Sequence, residues 1–248
     1  MVRASPRAII LVNATSPQTR PASVGTLLRG EVAALMAWTA DWRASQVTRD
    51  IALIAVGAGA FGAALGCWRD PWQAVFSGIK LPVIMLLTAT GNALLNAMLA
   101  PLLGLQLKFR QSFLATLASF ALAAAILGAF SPLAAFVIWN APPLTEGANN
   151  STTHAAILLL LVVVIAFAGI AANVRLFQLL NTLAGGRGGA MRVLFAWLIA
   201  NLFFGSQLSW VLRPFVGSPQ LPVEFLRAEA FDGNFFEAVF RSAVRLFN

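Results

Sequence analysis

The sequence predicts an all-α integral membrane protein: a polytopic bundle of about five transmembrane helices, with amphipathic helices at its N- and C-terminal ends. Three observations carry this prediction. Residues 155–174 contain no charged side chain, and Asn173 is their one strongly polar group. A hydrocarbon layer roughly 30 Å thick needs about 20 such residues in a helix, because only a helix or a closed barrel pairs every backbone amide where water is absent. The whole chain of 248 residues is 59% hydrophobic and 10% charged, with a mean hydropathy of +0.79, which is more apolar surface than a soluble core of that size would hide. Finally, there are seven Trp and no Tyr. Trp38, Trp42, Trp68, Trp72, Trp139 and Trp210 fall near the ends of apolar runs, as an interfacial aromatic belt does.

Residues 1–50 read as an N-terminal segment. The stretch 1–21 is rich in Arg, Ser, Pro and Thr, and its one apolar run, 8–12, is too short to predict a cleaved leader. Over 23–46, Leu27, Leu28, Val32, Leu35, Met36 and Trp38 recur at spacings of three and four opposite Arg29, Glu31 and Asp41. That pattern predicts a helix lying on the membrane surface, or one that docks on a partner.

The transmembrane bundle is expected over 51–216. Its first span, 51–68, contains Gly57, Gly59, Gly62 and Gly66. Gly62 and Gly66 form a GxxxG step, where another helix approaches closely because attraction between helices in lipid depends on packing. A contact within the chain is preferred over dimerisation. Arg69-Asp70-Pro71-Trp72 ends this span, and 72–80 reads as an amphipathic connector to the second span, 81–103. Thr88, Asn92 and Asn96 there share one helix face, which must point into the bundle or towards a wet cavity. Interhelical hydrogen bonding is the preferred role of this stripe over a solute path, since no ionisable group accompanies it.

Lys108 and Arg110 make a basic loop before the third span, 113–139, in which Pro132 predicts a kink. The loop that follows has no Lys or Arg. The fourth span, 155–174, is expected to continue as helix to about residue 183 and to stop at the glycine-rich stretch 185–189. Those glycines lack the strand, lysine and spacing of a phosphate loop, so they read as a turn. The fifth span, 193–212, carries Asn201 and Gln207 and is closed by Arg213-Pro214.

Beyond it, 217–248 reads as an amphipathic tail rich in Phe, which needs either the bilayer interface or a neighbouring protein to lie on. Basic residues before the first span and in the second and fourth loops place the N-terminus in the cytoplasm, with a bacterial inner membrane as the expected setting.

The run from Gly205-Ser206-Gln207-Leu208-Ser209-Trp210 through Val211-Leu212-Arg213-Pro214-Phe215 to Val216-Gly217-Ser218-Pro219 resembles an ending found in uncharacterised bacterial multi-pass membrane proteins. The five-span layout over about 50–227 is similar to Yip1-like membrane proteins, although the chain has no Tyr-containing signature. The resemblance implies a helical membrane bundle with lipid or protein partners and transfers no catalytic residue.

For chemistry the sequence offers little. Asp and Glu are missing from the interiors of the five spans, which disfavours a proton-coupled transporter. His154, at a loop-to-helix boundary, is the one candidate ligand for a pigment or haem, though hydrogen bonding to water is the expected role. No metal site is expected from one Cys and one His, and Cys67 reads as a packing residue. Trp210 and Arg213, one turn apart, are expected to anchor the fifth span at the membrane interface.

The net charge of +8 is spread over loops and helix ends, which fits lipid headgroups and topology rather than nucleic acid. Bound lipid and other integral membrane proteins are therefore the expected partners. The function expected is a non-catalytic subunit or scaffold of a larger membrane assembly. The alternatives are a small-solute transporter or channel and a Yip1-like membrane-shaping or lipid-organising protein.

Overall fold

The computed structural model describes residues 43–102, 109–142, 151–183, 187–217 and 222–237. Among them are five helices long and apolar enough to cross a membrane: α1 (Ala44–Gly66), α2 (Pro71–Leu102), α3 (Phe109–Trp139), α4 (Ser151–Leu183) and α5 (Arg187–Val211). The protein is an all-helical membrane bundle. Most of the expected N-terminal interfacial helix lies outside the described residues.

Helix boundaries follow local hydrogen bonding rather than the limits of the apolar runs. α1 begins seven residues before the expected Ile51, and its first turns hold the Arg49–Asp50 ion pair at 3.7 Å. α2 begins at Pro71, so the expected connector over 72–80 is the first part of this helix. Pro71 lacks only an N–H that has no partner in a first turn, and the Asp70 carboxylate accepts from the Trp72 N–H at 2.7 Å as a cap.

In α3, Pro132 removes the N–H that would reach the Gly128 carbonyl. The Ser131 hydroxyl donates to that carbonyl instead, at 2.7 Å. α5 takes Gly188 and Gly189 into its first turn, so the glycine stretch does not stay a loop throughout.

α1 lies between α2 and α3, which also touch each other; α5 packs on α2, and α4 packs on α3 and α5. Glycines set the closeness of α1 to its neighbours. A Cβ on Gly62 would stand 2.9 Å from Leu81 Cδ1 and one on Gly66 2.7 Å from Ala74 Cα, so the GxxxG face is filled by α2 of the same chain. On the opposite side Gly57 meets α3, where a Cβ on Gly128 would come within 2.9 Å of the Gly57 Cα. Ile54, Phe61, Leu65, Leu117 and Ile157 form the larger apolar core, and Trp197 with Leu180 and Val193 forms a second one.

The chain emerges from α5 into an elbow over 212–217 and then a folded tail. The tail is not an amphipathic helix over its described part. Turns closed from Ala230 N–H to Arg227 O and from Asp232 N–H to Glu229 O lead to Gly233, whose φ of 70° breaks helical continuity. Helix starts only at Phe235, where the Asn234 side chain accepts from the Glu237 N–H at 2.9 Å.

Candidate functional site

The bundle's buried polar side chains are concentrated on one helix. Gln73, Ser77, Lys80, Thr88, Asn92 and Asn96 follow one another along α2 at steps of three, four or eight, and none is more than 3% exposed. Side chains at these spacings share a face. At about 1.5 Å per residue the stripe runs for roughly 35 Å, comparable with the hydrocarbon thickness. Buried Leu81, Ile84 and Met85 divide it into two halves with opposite character.

The half nearer Pro71 is a clamp on the elbow. Gln73 Nε2 lies 3.0 Å from Ser77 Oγ and donates to the carbonyls of Pro214 and Phe215, each at 3.1 Å. The Ser77 hydroxyl also donates to the Phe215 carbonyl, and Lys80 Nζ donates to that of Pro214 at 3.1 Å. The Lys80 ammonium stands over the Phe225 ring, 5.2 Å from its centroid, and Phe76 meets the same ring edge-on. The buried ammonium thus meets a carbonyl dipole and a π face.

Beside the clamp, Gly217 has a φ of +84°, and a Cβ there would lie 2.7 Å from Arg69 Cγ, so this turn requires glycine.

Trp210 and Arg213, which the sequence puts one turn apart, stack on each other. Arg213 lies over the Trp210 ring at 3.7 Å, and its guanidinium donates to the Trp210 carbonyl at 2.6 Å and to the Glu229 carbonyl at 3.3 Å. The Trp210 indole N–H donates to the Asp232 carbonyl at 3.3 Å, which ties the tail to the end of α5. Burial lowers the Arg213 pKa and the like charge of Arg227 lowers it further, against the opposing pull of Glu229 and Asp232.

The other half of the stripe faces α5 and α3. Asn92 Nδ2 donates to the Asn201 side-chain oxygen and, at 3.4 Å, to the Trp197 carbonyl. Ser112 of α3 donates to the Ala93 carbonyl at 3.4 Å, and Thr116 to the Ser112 carbonyl at 2.8 Å. These bonds leave much unpaired. Thr88 Oγ1, Asn92 Oδ1, both polar atoms of the Asn96 amide and Trp197 Nε1 are buried without a protein hydrogen-bond partner.

Of the stripe expected from sequence, the structure joins Asn92 to Asn201 and keeps Thr88 and Asn96 on the same buried face. Gln207 is half-buried and has no hydrogen bond with the stripe. His154 instead meets Trp68, with ring centroids 6.0 Å apart, while the Trp68 indole N–H donates to the Pro142 carbonyl at 3.2 Å. Among the described residues no group of three or more His, Cys, Asp or Glu could hold a metal.

Sequence reasoning missed Gln73, Ser77 and Lys80. Their spacing of four and three was the signal, hidden once the segment was read as a connector. No protein-family model, curated protein or solved structure matches this chain.

Proposed function

We propose that this chain is a non-catalytic integral membrane scaffold, a subunit that holds a C-terminal segment at a membrane surface for the assembly it serves. The observation that carries this reading is the clamp. Three buried side chains of α2 spend their hydrogen bonds on two carbonyls of the chain's own elbow, and so fix the direction in which the tail leaves the bundle. The tail then leaves Leu226 and Phe231 exposed, while Phe225 and Phe236 are partly covered by Phe76 and by Phe203 of α5. An exposed aromatic group on a rigid mount suits a protein or lipid partner.

Charge separation supports an orientation. The end where α1 begins and α3 begins gathers Arg43, Arg49, Arg110, Arg187 and Arg192, with Arg175 on the approach and Asp50 as the described acid. The elbow end has Arg69, Lys80, Arg213 and Arg227 among Asp70, Glu224, Glu229, Asp232 and Glu237. The excess of cations at the first end supports a cytoplasmic setting for it, in keeping with the inner-membrane location we propose.

The test is purification from the native membrane in mild detergent with native mass measurement. A particle of fixed composition well above 26.3 kDa, lost when the chain is cut after residue 222, is the expected result. A lone chain or homodimer overturns the reading. A second reading, a path for a small uncharged solute, draws support from the unpaired atoms of Thr88, Asn92 and Asn96. It requires flux into proteoliposomes that falls when Asn92 and Asn96 are both changed to Leu.

A further inference from the structure

After the elbow the tail turns back along α5 instead of running away from the bundle, and three contacts fix its direction. The Glu229 carbonyl accepts from Arg213, and the Asp232 carbonyl accepts from Trp210. The Phe236 ring then stacks on that of Phe203, with centroids 6.2 Å apart. Later residues of the tail thus meet earlier residues of α5, so the tail descends antiparallel to the helix.

α5 itself supplies the depth scale. Arg192 and Trp210 are 18 residues apart with no charged side chain between them, about 27 Å of helix, close to the thickness of the hydrocarbon layer. An arginine at one end and a tryptophan at the other suit the two interfaces. Phe203 lies seven residues before Trp210 and hence about 10 Å deeper. Ile199, Leu202 and Phe203 share one helix face and are all exposed, so this face of α5 meets acyl chains.

The tail's chemistry is sorted on the same scale. Arg227, Glu229 and Asp232 gather around Arg213 and Trp210, at the level of the headgroups. Phe236, with Phe235 edge-on to it, reaches the level of Phe203. A bilayer imposes this order of charge above and phenyl rings below, whereas a protein partner does not. The exposed Glu237 beside Phe236 keeps the insertion shallow, since a carboxylate is costly at depth.

We propose that Phe235 and Phe236 form a foot inserted among the acyl chains beside α5, and that lipid is the partner of this end of the tail. The placement needs only the bundle and its depth scale. It therefore goes beyond the scaffold reading and holds whether or not the chain serves an assembly.

Site-directed spin labelling of the full chain, in liposomes of phosphatidylcholine and phosphatidylglycerol, tests this placement. In a Cys67→Ser background, which removes the one native thiol, single cysteines replace Glu237, Phe236, Glu229 or Leu202 and receive a nitroxide. Collisions with oxygen, which concentrates among acyl chains, are compared with collisions with a water-soluble nickel chelate. Leu202→Cys is the acyl-chain reference and Glu229→Cys the headgroup reference. Glu237→Cys retains both phenyl rings, so the label does not itself remove the foot.

The expected oxygen-to-nickel collision ratio at Glu237→Cys and Phe236→Cys is severalfold above that at Glu229→Cys and close to that at Leu202→Cys. A ratio at Glu237→Cys equal to that at Glu229→Cys puts the end of the tail in water and overturns the proposal. Low collision with both reagents at Glu237→Cys means a protein cover, such as a second copy of the chain, and overturns it as well.

Discussion

The two halves of α2's polar stripe have the same burial and nearly the same spacing, yet protein answers the first more fully: it leaves Gln73 Oε1 unpaired, whereas the second leaves Thr88 Oγ1, Asn92 Oδ1 and both polar atoms of the Asn96 amide. Gln73, Ser77 and Lys80 meet two carbonyls of an irregular segment, where backbone acceptors are free because no helix uses them. Thr88, Asn92 and Asn96 face α3 and α5, whose carbonyls are already bonded within their own helices. The difference teaches that a buried polar face in a membrane bundle is satisfied most completely by broken backbone. Packed against intact helices, it finds a side chain such as Asn201 or a long bond to an already bonded carbonyl, as Asn92 does at Trp197.

Substitutions along the stripe sharpen this contrast, and thermal unfolding in one detergent is the common measurement. Gln73→Leu gives the largest loss, about 1–3 kcal/mol, because both elbow carbonyls lose a donor at once and keep only Lys80 on Pro214 and Ser77 on Phe215. Equal stability to the parent chain would show that the clamp is dispensable.

Lys80→Met falls below it. The Pro214 carbonyl loses a donor, but a cation is also released from burial, and these effects oppose each other. A loss larger than that of Gln73→Leu would reverse the assignment of the clamp's main contact.

Next, Asn92→Leu costs about 1 kcal/mol, the scale of an interhelical side-chain bond in a membrane protein, by unpairing Asn201. In a double-mutant cycle with Asn201→Leu, a coupling indistinguishable from zero would break the pair. Gln207→Leu is the smallest, within about 0.5 kcal/mol, since that side chain is half-buried and bonded to nothing in the stripe.

Much of the fold was legible because hydropathy and length speak directly to a bilayer. The five spans were anticipated, and so was the filling of the Gly62 and Gly66 face from within the chain. The errors lie where an apolar-run criterion and helical hydrogen bonding part company. Lys80 made residues 72–80 look like a boundary, whereas its acceptor comes from the elbow, which lies far away in sequence. The tail was read as one helix from its Phe periodicity, and Gly233 with its positive φ interrupts that periodicity at a backbone level which side-chain patterns do not record. Thr88, Asn92 and Asn96 were visible as a stripe. Whether protein atoms paired them depended on the faces turned towards them by α3 and α5, and that is tertiary information.

The bond between Lys80 and Pro214 joins residues 134 positions apart, and this orders events during synthesis. Insertion proceeds from the N-terminus, so α2 meets the bilayer while its lysine has no acceptor. Until α5 and the elbow have been made, Lys80 must reach for headgroups or stay with the insertion machinery, because a lysine at membrane depth is costly. α2 therefore settles to its final depth only when the last span arrives. Truncation anywhere before residue 214 would leave an orphan charge in the membrane, the kind of signal by which an unfinished chain is recognised.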